Sequence, residues 1–353
     1  MTVIEEPTLV GRSPLVRVHT PVPRPHPGYF AKIESLGLGG LKARSASSMI
    51  AGARRRGDLR EGAQIVESTS GTLGIGLAYV AQALGHPLTL VVDSELEPPM
   101  RNLLHALGAT LEIVERPHPT GGWQQSRLDA LQRILSQNPG AYWPNQYDNP
   151  DNAAGYGGLA DEIVTGLAES GVSRPDVLVC SVGTGGHSTG VGLRLRQIWP
   201  DIRIIGVDAV GSAIFGQPAT HRIMRGLGSS VHPGNVRHDM FDEVHWVGPR
   251  EAVHACRALA CSGFHTGGWS TGAAATVAGW AAHRWSGPVV TIFPDGPDRY
   301  LRSIFDDAWC RTRGLLEAPR TSPHEIDDCR DPADCWTRCR TVHAPQHITE
   351  LTV

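Results

Sequence analysis

Lysine is almost missing from this 353-residue chain: of its 32 Lys plus Arg, only Lys32 and Lys42 are lysines. Arginine does the remaining cationic work. Only lysine can shed its proton and attack a carbonyl, so each survivor invites a chemical explanation, with chance retention as the alternative. A surplus of one sign of charge is also missing, since 35 Asp plus Glu leave a net charge of -3. That balance excludes a polyelectrolyte partner such as nucleic acid. No apolar run approaches the length needed to cross a bilayer, and the start MTVIEEPTLV is acidic and lacks the basic and apolar regions of a signal peptide. A cytoplasmic protein with no membrane partner is expected. The seven cysteines are scattered rather than framed, which predicts reduced thiols.

What is present is an alternation of strand-like and helix-like segments from about residue 63. Apolar runs near 63–69, 88–93 and 110–114 form one cluster, and runs near 176–182, 202–208 and 288–294 form another. Stretches such as GIGLAYVAQALG and MRNLLHALG lie between them. This is the cadence of parallel α/β sheets covered on both faces, and it predicts two open α/β lobes with a ligand cleft at the carboxyl ends of the strands. After about residue 315 periodicity fades and Pro, Asp, Cys and His accumulate, which predicts an irregular tail.

Three segments carry chemistry. DVLVCSV runs into GTGGHSTG (Gly183 to Gly190) and then a helix-like stretch. Glycines let a ligand approach the backbone, and a helix start offers N–H groups and a positive dipole end to an anion such as phosphate. Taken alone, the segment is equally a structural turn. ESTSGTLGIG (Glu67 to Gly76) has the same construction and adds the hydroxyls of Ser68, Thr69, Ser70 and Thr72, which suit a substrate carboxylate; an ordinary capped helix is the alternative. In GLGGLKARSASSMI, Lys42 follows a glycine-rich loop and opens a helical pattern. A lysine at a cleft mouth, between one loop for a phosphate and one for a carboxylate, is what Schiff-base chemistry on pyridoxal phosphate needs.

With these segments in order, and with SPLVRV, FAKIE, WPNQYDNPDN, ADEI, GVDAVGS, GLGSS, GGWSTGAAA and PDGPDRYL, the chain resembles the fold-type II pyridoxal-phosphate family from about Pro7 to about Trp309. That family includes cysteine synthase and the catalytic core of cystathionine β-synthase. Within it, VESTSGTLGI, VVDSE, YWPNQY, VDAVGSAIFG and DRYLRSIFDDAW are most similar to the branch that makes N-(2-amino-2-carboxyethyl)-glutamate, a 2,3-diaminopropionate precursor. The resemblance implies pyridoxal 5′-phosphate as cofactor and a homodimer. It also implies a larger cofactor-binding α/β domain (1–40 plus 148–315), a smaller mobile one (41–147) and a C-terminal extension (316–353).

Carried over by position, the resemblance makes Lys42 the Schiff-base lysine and the acid/base at the substrate Cα. It gives the cofactor phosphate to Gly183, Thr184, Gly185, Gly186 and Ser188 or Thr189, and the pyridine nitrogen to Ser270. The substrate carboxylate falls to Thr69, Ser70, Gly71 and Gln146, with Arg127 as an anion contact, while Lys32 has a structural role. The implied reaction is β-replacement on O-phosphoserine or O-acetylserine through an aminoacrylate, adding an amine such as that of glutamate. Cysteine synthesis or desulfhydration is the alternative, and a non-catalytic binding protein of the same fold is a third reading. Two departures touch the cofactor's surroundings: Thr72 stands where the family has an asparagine at the cofactor's 3′ oxygen, and Ala43 where it has an aspartate, which leaves Arg44 without its adjacent partner. The tail's Cys329, Cys335, Cys339, His324, His343 and His347 match no standard metal-ligand spacing, so no metal is expected.

Overall fold

A computed structural model describes residues 10–20, 28–37 and 40–344. The strands are β1 (Leu15–Val18), β2 (Tyr29–Ile33), β3 (Ile65–Ser68), β4 (Leu88–Asp93), β5 (Thr110–Val114), β6 (Val177–Ser181), β7 (Arg203–Ala209), β8 (Glu243–Val247), β9 (Val289–Phe293), β10 (His324–Ile326) and β11 (Thr337–Cys339). The helices are α1 (Leu41–Arg56), α2 (Thr72–Leu84), α3 (Pro98–Ala106), α4 (Gly122–Gln137), α5 (Pro150–Ala154), α6 (Gly157–Glu169), α7 (Gly186–Ile198), α8 (Pro249–Cys261), α9 (Trp269–Arg284) and α10 (Asp307–Arg311).

β3, β4 and β5 form a three-stranded parallel sheet. The remaining strands form an eight-stranded sheet in the order β1-β2-β9-β6-β7-β8-β11-β10, parallel from β2 to β8. Every residue of β3, β4, β6, β8 and β9 is buried, as befits strands whose two faces are both covered by helices. One apolar cluster around α1 and α2 covers the small sheet, and Ala46, Met49, Ile50 and Ala53 place α1 in it. Two larger clusters cover the faces of the eight-stranded sheet. Alanine-rich α9 lies in one of them, against α8, so close that a Cβ on Gly272 would sit 2.2 Å from the Ala252 carbonyl.

The two expected lobes are present, with three differences from the sequence reading. The segment EVHWV, not anticipated as a strand, forms β8. The tail, expected to be irregular, contributes β10 and β11, and β11 pairs antiparallel with β8. Side-chain pairing explains this attachment. Arg338 on β11 reaches Glu243 on β8 and, at 2.9 Å, Glu325 on β10; Trp336 Nε1 donates to His245 Nδ1 at 3.1 Å. These contacts join residues far apart in sequence, and three-residue strands carry no visible period. Third, Arg44 is not short of a partner: it pairs with Glu34 at 2.7 Å and Glu162 at 3.0 Å, and Lys32 joins the same buried network through Glu162 at 2.7 Å. Two acids from other elements replace the missing neighbour at Ala43.

Among the described residues no helix is long and apolar enough to cross a membrane, and no group of His, Cys, Asp and Glu is gathered as a metal site. His347 lies outside the described residues, as do Leu38 and Gly39 of the loop before Lys42. All seven cysteines are free.

Candidate active site

The carboxyl ends of β3, β4, β6 and β9 converge on a cavity of about 700 Å³ between the lobes, a size suited to a cofactor with a small substrate. Lys42, Thr69, Ser70, Thr72, Arg127, Gln146, Gly183, Thr184 and Ser270 all line it. Residues spread over more than two hundred positions of sequence therefore meet in one place. Gly71, Gly185, Gly186, Ser188 and Thr189 do not line it.

Lys42 sits in the first turn of α1, and its Nζ donates to Thr184 Oγ1 at 3.1 Å. Burial pulls its pKa down to about 8, against the smaller opposing pull of Asp295 and Glu67. A larger neutral fraction near physiological pH suits an amine that must attack an aldehyde. Lys32, by contrast, is spent in its buried ion pair.

Thr184 belongs to the turn that opens α7. Gly185 caps that helix at φ 82°, and a Cβ there would lie 2.7 Å from the Asn235 and Val236 backbone; one on Gly186 would lie 2.1 Å from Asn152 Oδ1. The turn is thus pressed against its support, with only backbone and the Thr184 side chain to present, which is a cradle fit for a phosphate. Ser188 and Thr189 do not complete it as the sequence reading supposed. Their hydroxyls donate to the carbonyls of Gly185 at 3.1 Å and Asn235 at 2.7 Å. His187 takes the cavity-facing position instead. Burial, with Lys42 nearby, drives its pKa down to about 3, so it is a neutral imidazole, in contact with Ser181 Oγ at 3.4 Å.

In the second turn, Gly71 N donates to Thr69 Oγ1 at 3.0 Å, and Gln146 Nε2 donates to Ser68 O at 2.7 Å. Glu67 lies beneath, buried, accepting from Ser68 N at 2.7 Å, Gln146 N at 3.1 Å and Trp143 Nε1 at 3.2 Å; burial lifts its pKa to about 7. Thr72 has a partner the sequence did not suggest: Arg299 Nη1 donates to its Oγ1 at 2.9 Å, while Nη2 reaches Ser70 O at 3.1 Å and Glu97 at 3.1 Å. Arg299 fills the space beside Gly71, where a Cβ would lie 2.8 Å from its guanidinium.

Opposite this turn, Ser270 near the start of α9 presents a hydroxyl 3.4 Å from Gly226 O. Asp295, just past β9, accepts from Tyr300 OH at 3.1 Å, and burial raises its pKa. Arg127 is buried and ion-paired with Asp93, which also holds Arg225 at 2.7 Å. Glu67, His187, Asp295, Arg225 and Arg299 escaped the sequence reading. The His in GTGGHSTG and the Asp and Arg in PDGPDRYL were visible as letters, but their partners lie in other elements.

A half-buried lysine between a glycine cradle and a hydroxyl-rich turn, in an α/β cleft, defines a pyridoxal-phosphate enzyme. The sequence profile described as pyridoxal-phosphate dependent enzyme matches residues 7–295, and the chain belongs to that family. Its cofactor is pyridoxal phosphate, and the cradle described above fits it. The chain is 36% identical over 310 residues to an N-(2-amino-2-carboxyethyl)-L-glutamate synthase of Cupriavidus metallidurans, covering 85% of this chain and 89% of the relative. It is also 36% identical over 327 residues to a synthase of the same name from Ralstonia nicotianae, covering 89% and 95%. Among solved structures, the O-acetylserine dependent cystathionine beta-synthase from Helicobacter pylori superposes with TM-score 0.78 at 30% identity, covering 86% of this chain and 99% of that one. O-ureido-L-serine synthase gives TM-score 0.77 at 29% identity, covering 88% and 100%.

Proposed function

We propose that this enzyme replaces the β-substituent of O-phospho-L-serine or O-acetyl-L-serine with the amine of L-glutamate. The observation that carries the reading is the position of Lys42 Nζ, 3.1 Å from Thr184 in the phosphate cradle and in the same cavity as the Thr69–Thr72 turn. Similarity to the two synthases supports the choice of acceptor.

In this reading Gly183, Thr184 and the imidazole of His187, which line the cavity, would hold the cofactor phosphate, with Gly185 and Gly186 letting the turn pack closely behind them. Ser188 and Thr189 brace the turn from behind through the carbonyls they bind. Ser270 meets the ring nitrogen with a neutral hydroxyl. When bound, the cofactor supplies an electron sink for charge developing at the substrate Cα. Thr69, Ser70 and Gln146 grip the donor carboxylate and fix the Cα–H bond towards Lys42, while the Gly71 amide holds Thr69 in place. Lys42 removes the Cα proton and later returns it. Between those steps the Cβ–O bond breaks and phosphate or acetate leaves. The Cβ–N bond then forms as the incoming amine loses its proton. Thr72, held by Arg299, sets the shape of the turn, and Arg127 adds positive charge for an anionic leaving group.

The body of 41–147 is the moving part, a homodimer is the working form, and the cytoplasm is the setting. Family resemblance supports the first two, and seven free thiols suit a reducing compartment. A sulfur reading also has a specific support: a hydrogen sulfide-producing enzyme from Fusobacterium nucleatum superposes with TM-score 0.74 at 25% identity. Mass spectrometry of purified holoenzyme with each serine ester against glutamate and sulfide, and with cysteine alone, separates the readings. A glutamate adduct is expected. Sulfide products alone would favour the second, and no product from any donor would overturn both.

A further inference from the structure

Around Lys42 the cavity is lined by the neutral polar side chains of Thr69, Ser70, Gln146 and Thr184. The outer end is different. Its rim consists of two exposed stretches, 117–120 before α4 and 219–221 after β7, and just inside the second lie Arg222 and Arg225. Arg225 is committed: it grips both oxygens of the fully buried Asp93, at 2.7 and 2.9 Å, and Asp93 also takes Arg127. One carboxylate between two guanidiniums leaves a positive charge over, and Glu95, which meets Arg225 at 3.5 Å, is 55% exposed at its side chain and largely screened.

Arg222 is the more telling residue. Its Nη1 donates to the Gly211 carbonyl at 3.0 Å, burial depresses its pKa, and its Nε is buried with no partner. Among the described residues no carboxylate comes within ion-pair distance of it, whereas Arg44, Arg127, Arg225, Arg299 and Arg338 each have one. The acid that acts on it from a distance, Asp208, is itself buried, with one oxygen unpartnered and a pKa lifted to about 7. A desolvated guanidinium without a counter-ion, on the wall of a cavity, is complementary to an anionic ligand.

We propose that Arg222 is the specificity residue for an acidic acceptor, pairing with its side-chain carboxylate, while the Arg225–Asp93–Arg127 cluster supplies the surrounding positive field. This rests on the β-replacement reading. The acceptor's α-amine must point inward to meet the donor's Cβ, so its far carboxylate lies outward, where Arg222 stands. Neutral Gln124 spans the same region: its Oε1 accepts from Ser230 N at 2.6 Å and its Nε2 donates to Tyr147 OH at 3.3 Å, tying the outer loop to α4. The site therefore selects charge at one point only.

The test is calorimetric binding of L-glutamate and L-glutamine to the holoenzyme and to Arg222→Gln and Arg222→Lys holoenzyme, together with KM for donor and acceptor. Glutamine keeps the α-amine and α-carboxylate and lacks only the distal charge. Loss of a charge-assisted hydrogen-bonded pair predicts that glutamate binds roughly 10- to 100-fold more tightly than glutamine. Arg222→Gln should abolish that preference, and Arg222→Lys should restore part of it. A structural role for Arg222 would instead raise the KM of donor and acceptor together. Equal binding of the two amino acids, or a preference that survives Arg222→Gln, overturns the proposal even if turnover is normal. Selective glutamate binding without any product would uphold the subsite and overturn the proposed reaction.

Discussion

Raising the pH of a cofactor-free preparation in steps, and following how fast added pyridoxal phosphate develops visible absorbance, reports the proton affinity of Lys42. The protonated amine cannot attack an aldehyde, so loading tracks the neutral fraction. With a pKa near 8 rather than 10.5, Lys42 is neutral in about a quarter of molecules at pH ~7.5, against about 0.1% for an ordinary lysine, an advantage of roughly 200-fold. The expected profile climbs about tenfold per pH unit at low pH and flattens above a midpoint near 8. A free alkyl amine measured in parallel corrects for the titration of the cofactor itself. Because the negative charges of Asp295 and Glu67 both raise the lysine's pKa, Asp295→Asn and Glu67→Gln should each move the midpoint to lower pH. The same displacement gives a stability signature. Between about pH 8 and 10.5 the unfolded chain binds a proton that the folded chain has shed, so the cofactor-free protein gains stability as pH rises through that window. A loading rate still rising nearly tenfold between pH ~9 and ~10, as for an unshifted lysine, would refute the argument, as would unchanged loading in Lys42→Ala.

Gly186→Ala forces a Cβ to within 2.1 Å of Asn152 Oδ1, and Asn152 is fully buried and has no room to yield; cofactor absorbance should fall and stability drop by about 1–3 kcal/mol in denaturant titration. Arg299→Ala removes the donors to Thr72 and Ser70, so the donor's KM should rise about tenfold, and a KM within twofold of the parent would show that the turn holds its own shape. Arg338→Met leaves the buried Glu243 without its guanidinium partner; unfolding should be easier by about 3–5 kcal/mol, read from the thermal midpoint, while cofactor absorbance at low temperature persists.

Much of the candidate site's lining was legible because its parts are local patterns. A glycine-rich turn between a strand and a helix can be seen in GTGGHSTG and ESTSGTLGIG without knowing what faces it, and Lys42 stood out against an arginine-rich background. What could not be read was pairing across the molecule. Thr72 looked like a weakened cofactor contact, yet its hydroxyl is held by Arg299, 227 positions away. Arg44 does lack an acid at position 43, and the sequence did not show that Glu34 and Glu162 reach it instead. In the turn of GTGGHSTG, Ser188 and Thr189 have the right chemistry, but their hydroxyls donate to the carbonyls of Gly185 and Asn235, and His187 is the residue that lines the cavity. β8 and β11 were missed for a related reason, since charged and imidazole side chains that would mark a surface strand are there neutralising one another in the interior.

The lobes meet across polar bridges: Arg225 to Asp93, Arg299 to Glu97, and Gln124 to Ser230. A seam of this kind behaves unlike a greasy one. Were the lobes to part in the movement proposed above for 41–147, water would take the place of each lost partner, so these bridges would resist opening less than buried apolar contacts do. In that reading an acidic substrate and the closing of the seam would be coupled through the same arginines, Arg225 and Arg299, that now bridge the lobes.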